Sequence, residues 1–444
     1  MRRQALPRRG RPAVHRLLIF LVVVAAAASA ALLGGASREN RGGGAAATPR
    51  IAAALEAGLP AGTASELVRD LQERLRADAS STRDWVLLGL GYEQLARETG
   101  DVAFYKKAGA ALRRARELDR RDPTAVVALG SLALSQHRFR RALALGLHAQ
   151  FLAPAEARSY GVVGDALIEL GRYNAALGAF RRMLDLKPTS SAYARWSYAR
   201  ELVGDRAGAE RWMRLARYAA VGQREPYAWA AVQLGNLHWG SGRVKAAELQ
   251  YRLALTVLPG YVYALDGLAR VAAAGGDLET ALALEEKAAD TIPLPQFVAQ
   301  LGDLYRTSGR GREAREQYAT VGAIERLQRA SGVATDLEAA AFRADHGWPS
   351  VALARRAHAA RPSIEGDDVL AWTLARAGRC DEAAHWSGRA LRLGTRDALK
   401  FFHRARIEDC LGNRPQARIW AGRALRLNPH FSLLWTDAAR RLAA

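Results

Sequence analysis

Only two cysteines, Cys380 and Cys410, occur in 444 residues, beside three methionines and six lysines. So few thiols exclude a disulfide framework and a cysteine-held zinc cluster. The chain also lacks Gly-x4-Gly-Lys-Ser/Thr, His-Glu-x2-His, Cys-x2-Cys and Gly-x-Ser-x-Gly, so no motif marks it as an enzyme. Five of its nine histidines stand late, at His346, His358, His385, His403 and His430. None has a partner one helical turn away, and neither a metal nor a cofactor is expected. Alternating strand patterns are missing as well. The net charge of +21 rests almost wholly on arginine. That bias, with heavy use of Ala and Gly, is what a GC-rich genome imposes. Residues 1–50 carry nine arginines and one acid. The remaining excess is thin, and without a concentrated basic stripe nucleic acid is not an expected partner.

What the chain does have is a period. Eight glycines are each followed five residues later by an alanine: Gly171/Ala176, Gly204/Ala209, Gly242/Ala247, Gly276/Ala281, Gly309/Ala314, Gly347/Ala352, Gly378/Ala383 and Gly412/Ala417. The glycines are spaced by 33, 38, 34, 33, 38, 31 and 34 residues. Seven residues before each stands a small residue: Gly164, Ser197, Gly235, Ala269, Gly302, Ala340, Ala371 and Ala405. The glycine allows a sharp turn after one helix, and the small residues let the next helix pack back against it. A period of this length predicts an all-α stacked solenoid.

The units read Tyr160-x2-Val163-Gly164-x2-Leu167, then Gly171, Ala176, Phe180 and Pro188; the proline recurs as Pro259, Pro293 and Pro429. With Trp85-x2-Leu88-Gly89-x2-Tyr92 and Leu301-Gly302-x2-Tyr305, they resemble the tetratricopeptide repeat. The resemblance covers roughly residues 84–430 and implies a right-handed superhelix of about ten helix pairs within a solenoid domain of 63–430. An insertion is expected near 100–107, a shortened first helix at 337–346, a further helix at 64–77 and a capping helix at 431–444. The portion holding Gly332-Val333, Asp345-His346-Gly347 and Asn428-Pro429 resembles a recurring type of bacterial repeat protein.

Arg2, Arg3, Arg8, Arg9, Arg11 and Arg16 precede an apolar run at 17–33, extendable to 36. Basic residues on that flank hold the N-terminus in the cytoplasm and send the rest across the membrane. The run is short for a spanning helix, and Ala28-Ser29-Ala30 would suit a signal peptidase. Residues 1–36 are therefore expected to be a single-pass anchor in the cell membrane or a cleaved signal, with 37–62 a flexible tether. The solenoid then lies outside the cytoplasm, anchored or secreted. There Cys380 and Cys410, at matching turn edges of consecutive repeats, are candidates for a disulfide.

In the tetratricopeptide family the first helix of each repeat lines the concave groove. Carried onto this chain, the groove places hold Tyr198, Trp229, Asn236, Trp239, Tyr263, Arg270 and Arg306, with Glu201, Asp266, Trp372 and Arg406 at equivalent positions. Aromatic and arginine side chains dominate binding energy at interfaces. The expected function is a non-catalytic scaffold that holds a protein or peptide of the cell envelope. The alternative is a carrier or assembly factor for an anionic envelope glycopolymer, whose rings would stack on the same tryptophans.

Overall fold

The computed structural model describes residues 64–444. The anchor or signal at 1–36 and the tether at 37–62 lie outside the described residues. Among the described residues there are 22 helices and no strand, and no helix is long and apolar enough to cross a membrane. A leading helix, α1 (Ala64–Ala77), precedes ten antiparallel pairs. They are α2/α3 (Thr82–Thr99, Ala103–Leu118), α4/α5 (Pro123–Ser135, Phe139–Leu152), α6/α7 (Ala157–Glu169, Tyr173–Leu186) and α8/α9 (Ser190–Leu202, Arg206–Ala219). Next come α10/α11 (Arg224–Gly240, Val244–Val257), α12/α13 (Val262–Ala274, Leu278–Thr291) and α14/α15 (Pro295–Thr307, Gly311–Ala330). The last three are α16/α17 (Asp336–Asp345, Val351–Ala360), α18/α19 (Ile364–Arg376, Cys380–Ala390) and α20/α21 (Ala398–Cys410, Arg414–Leu427), and α22 (Thr436–Ala443) closes the array.

The packing explains the repeated residues. All eight glycines have φ between 69° and 92°, the left-handed conformation that ends a first helix sharply. Where the residue seven places earlier is glycine, it lies under an aromatic of the second helix: a Cβ on Gly164 would strike the Phe180 ring, one on Gly235 would come within 2.5 Å of the Tyr251 ring, and one on Gly302 within 2.5 Å of Tyr318. Seven of the eight alanines are buried. Ala352 is the exception and is exposed. Trp348, Pro349 and Ser350 lengthen its turn, α17 starts four residues after Gly347, and the buried alanine becomes Ala354.

The expected insertion near 100–107 is not a loop. It extends the end of α2 and the start of α3, on either side of Gly100, whose φ is 72°. Ala108 then takes the place that Ala176 holds elsewhere, fully buried beside Gly89 and Leu112. The extension reaches across the superhelix. Arg97 lies beside Glu225 at the start of α10, and Tyr105 lies beside Tyr263 in α12.

The solenoid completes one coil and lays the second on the first. Contacts 189 to 198 residues apart recur along the seam, so one coil takes between five and six repeats. Ala334 N donates to the Gln136 carbonyl at 3.1 Å, Ile364 N to the Tyr173 hydroxyl at 2.6 Å, and Asn428 Nδ2 to the Trp239 carbonyl at 2.9 Å. Thr395 donates to the Leu202 carbonyl and Arg206 to that of Arg396. The Arg361 guanidinium, nearly buried, bonds Glu169 on the other coil and Glu338 on its own, the latter at 2.8 Å. Two seam glycines could not carry a side chain, because a Cβ would strike the Pro362 carbonyl at Gly171 or the Gly394 carbonyl at Gly204. The core is continuous through this contact: Leu112, Val127 and Phe139 of the first repeats share one cluster with Val262, Ile292 and Val333.

His137 shows how far the seam shapes local structure. It stands seven residues after Gly130, where other repeats have glycine, and it is the one non-glycine residue with positive φ, 55°, among the described residues. Such a conformation is held only where surroundings over-determine it. Here the Nδ1 atom meets the Ala334 carbonyl at 3.1 Å, and burial, with Arg361 adding to it, keeps the imidazole below its ordinary pKa despite Glu338.

Candidate binding surface

Helices α8 and α10 place the central groove residues on one face. Tyr198 and Glu201 are three apart in α8, and Trp229, Gln233 and Asn236 follow at four and three in α10, the spacing that aligns side chains along a helix. Tyr198, Glu201, Trp229, Gln233 and Asn236 line one cavity of about 270 Å³ with Ala194, Met213 and Leu237. One wall is the ion pair of Arg195 with Asp165, both buried, in which Arg195 Nη2 donates to Asp165 Oδ2 at 2.7 Å and Nε to both oxygens at 3.0 Å. Burial pushes the Asp165 carboxyl up, and Arg195 opposes the shift.

The orientation of Asn236 is fixed from behind. Tyr251 donates to its Oδ1 at 2.8 Å and Arg270 Nη2 to the same atom at 3.2 Å. With Oδ1 occupied by two donors, the Nδ2 group is turned toward the cavity as a donor. Arg270 is itself tied to Asp266 at 2.8 Å, and Gln300 donates to Asp266 at 2.9 Å and to Glu285 at 2.7 Å. This ladder runs along the inner face through α10, α12 and α14. Glu285 is fully buried, and burial together with Asp266 raises its carboxyl well above the ordinary range.

Trp239 and Arg270 line a second cavity of about 410 Å³, roofed by the C-terminal segment through His430, Phe431, Ser432 and Arg440. The Arg270 guanidinium lies 5.6 Å from the Trp239 ring centroid and 5.8 Å from that of Tyr251. The seven groove residues therefore divide. Tyr198, Trp229 and Asn236 meet in one site, and Trp239 and Arg270 in another. Tyr263 sits instead among Tyr261 and Phe297, at centroid distances of 5.3 and 5.7 Å, where the first coil closes on α3. Arg306 is exposed at the end of α14 and lines neither cavity.

Of the equivalent positions, Trp372 is core: it is 2% exposed, stacks on His403 at 4.3 Å and donates to Asp345 at 2.9 Å. Arg406 bonds Asp409 at 2.7 Å. The two cysteines are joined at the surface, Cys380 starting α19 and Cys410 ending α20, with Cα atoms 5.9 Å apart. No group of three or more His, Cys, Asp or Glu among the described residues is arranged to hold a metal ion. Sequence reasoning missed Gln233, though its place one turn after Trp229 was the available signal. It also missed Asp165 with Arg195, 30 residues apart, and the roof of the second cavity, which comes from the far end of the chain.

The tetratricopeptide repeat family model matches residues 157–190, the α6/α7 unit. No curated protein matches the chain significantly. Among solved structures, a thermophilic TPR protein of Thermus thermophilus is 23% identical over 44% of this chain and 98% of its own, with a TM-score of 0.38. PilW, a widely conserved type IV pilus biogenesis factor, is 18% identical over 45% and 92%, with a TM-score of 0.39. A human IFIT1 dimer with PPP-AAAA is 15% identical over 82% and 87%, with a TM-score of 0.45. These similarities carry no functional argument. The α6/α7 unit matches the tetratricopeptide repeat, and nine further helix pairs stack with it into the solenoid.

Proposed function

We propose that this protein is a non-catalytic interaction scaffold that holds an extended segment of a partner protein on the inner face of its first coil. The observation that carries the reading is the cavity between α8 and α10. It combines an aromatic wall from Trp229, an amide donor fixed at Asn236 and a second amide at Gln233, a set suited to a peptide backbone and one side chain. Its framework is braced by buried ion pairs and hydrogen bonds, so little ordering is required of the receptor on binding. Of the two acids lining the cavity, Asp165 is matched by Arg195, and Glu201, with no cation at hydrogen-bond distance among the described residues, disfavours an anionic glycopolymer.

Trp229→Ala is expected to weaken partner capture by about 2 kcal/mol, the usual size for a hot-spot aromatic. Cross-linking and pull-down from detergent-solubilised membranes measures it, beside a thermal melt of the same variant. Capture equal to wild type, or a variant that no longer folds while Glu201 and Asn236 variants bind normally, would remove the cavity from the interface.

The scaffold acts outside the cytoplasm in this reading, tethered by residues 17–36 or released after cleavage. The arginine-rich flank and the apolar run support it. A phosphatase that is active only after export, fused behind residue 60, should be active. Replacing the flanking arginines by glutamate should abolish that activity, and an inactive wild-type fusion would refute the topology.

A further inference from the structure

The site between α8 and α10 has a sign opposite to that of the whole molecule. The chain carries +21, yet Glu201 faces this cavity with no hydrogen bond to its carboxyl from any described side chain. Three cations lie near it, and all are engaged elsewhere, the first being Arg195, which lines the cavity and is matched by Asp165. Lys400 is held between Glu365 at 2.5 Å and Asp397 at 3.0 Å. Arg206 donates to the Ser241 hydroxyl and to the Arg396 carbonyl across the seam. Asp397 and Glu365 share Lys400, and Glu169, beside Tyr198, is paired with Arg361, so among the described residues Glu201 is left as the unpaired acid of the site. Trp229, Met213 and Leu237 supply an apolar wall. At about 270 Å³ the space falls just short of a small-molecule pocket, about 300 Å³ and upward, and suits one long side chain.

We propose that this cavity receives an arginine side chain from an extended segment of the partner protein, with its stem along Trp229 and its guanidinium on Glu201. The planar cation stacks on an indole face and donates in a fork to a carboxylate, which an ammonium does less well. Asn236 Nδ2 is then left to donate to the peptide backbone. The inference rests on the scaffold reading and narrows it to a basic segment.

The pH dependence has a definite sign. Burial, helped by Asp397 and Glu365 and opposed by Arg206 and Lys400, raises the Glu201 carboxyl to about 7. A bound cation favours the ionised form, so binding strengthens as pH rises through about 7 and weakens below it.

The test uses the full chain in a non-ionic detergent and tryptophan fluorescence. The probes are capped pentapeptides with Arg, Lys, norleucine or Glu at the centre of a Gly/Ala frame. The arginine peptide is expected to bind at least tenfold more tightly than the norleucine and glutamate peptides, and more tightly than lysine. Glu201→Gln, nearly the same shape, should lose at least fivefold and flatten the change between pH 6 and 8. Trp229→Ala should weaken binding without moving the pH midpoint. Equal binding of norleucine, preference for glutamate, or no saturable binding by any peptide overturns the proposal. If Glu201→Gln still captures the native partner as wild type does while Trp229→Ala fails, the scaffold stands and the arginine assignment falls. If neither substitution affects capture, the scaffold reading of this cavity falls with it.

Discussion

Arg361→Ala is expected to destabilise the protein by about 3–5 kcal/mol, the size seen when one member of a buried ion pair is removed. Arg361 bonds Glu169 across the seam and Glu338 on its own coil, and the Glu169 side chain is only 2% exposed. Without the guanidinium, Glu169 is left as an uncompensated buried carboxylate. Burial already pushes that carboxyl above its ordinary pKa, with Arg361 opposing the shift, so the variant should take up a proton there at higher pH than the wild type does. Pairing Arg361→Met with Glu169→Gln should recover much of the loss, because the buried carboxylate goes with its partner and only Glu338, more exposed and beside His137, is left unpaired. Urea denaturation followed by circular dichroism gives the stability, and small-angle scattering gives the separation of the coils. A single substitution within about 1 kcal/mol of wild type, with unchanged scattering, would show that the seam contributes little.

Reduction of the Cys380–Cys410 pair is expected to lower stability by about 3–4 kcal/mol on the chain-entropy model for a 30-residue loop. The link spans the start of α19 and the end of α20, so it ties two consecutive repeats in the second coil. Its loss should loosen α19 to α21 first, since a repeat near the end of an array has fewer neighbours. Melting curves with and without reductant, set beside a Cys410→Ser variant, measure the effect. Labelling the exported, unfolded protein without reductant supplies the chemical check. Two freely reactive thiols per chain would refute the link.

The local grammar of the fold was readable because it repeats. A glycine with positive φ, an alanine packed in the second helix and a small residue in the first are short-range demands, and each leaves its mark at a nearly constant interval. Where the spacing slipped, the assignment slipped with it: Ala352 is exposed and Ala354 buried because one turn is longer than the rest. The seam left no comparable mark. His137 looks like any surface histidine until Ala334, 197 residues away, is placed against it. Tyr263 and Trp372 sat at groove positions by count, but coil closure half-buried the first and the C-terminal Trp435 packs on the buried second, in contacts that no single repeat contains. Trp229 and Asn236 stayed on a cavity whose lining, among the described residues, comes from the first coil alone.

An open solenoid can gain or lose a unit during evolution, since each repeat meets only the one before and the one after. This chain has given up that freedom. Duplicating one repeat between Gly171 and Ala334 would shift the second coil by a full unit against the first. Glu169 would then face a residue other than Arg361, and the gap that glycine leaves at Gly171 would no longer lie beneath the Pro362 carbonyl. The number of repeats is therefore under the same constraint as the identity of a core residue, and the molecule counts its own modules.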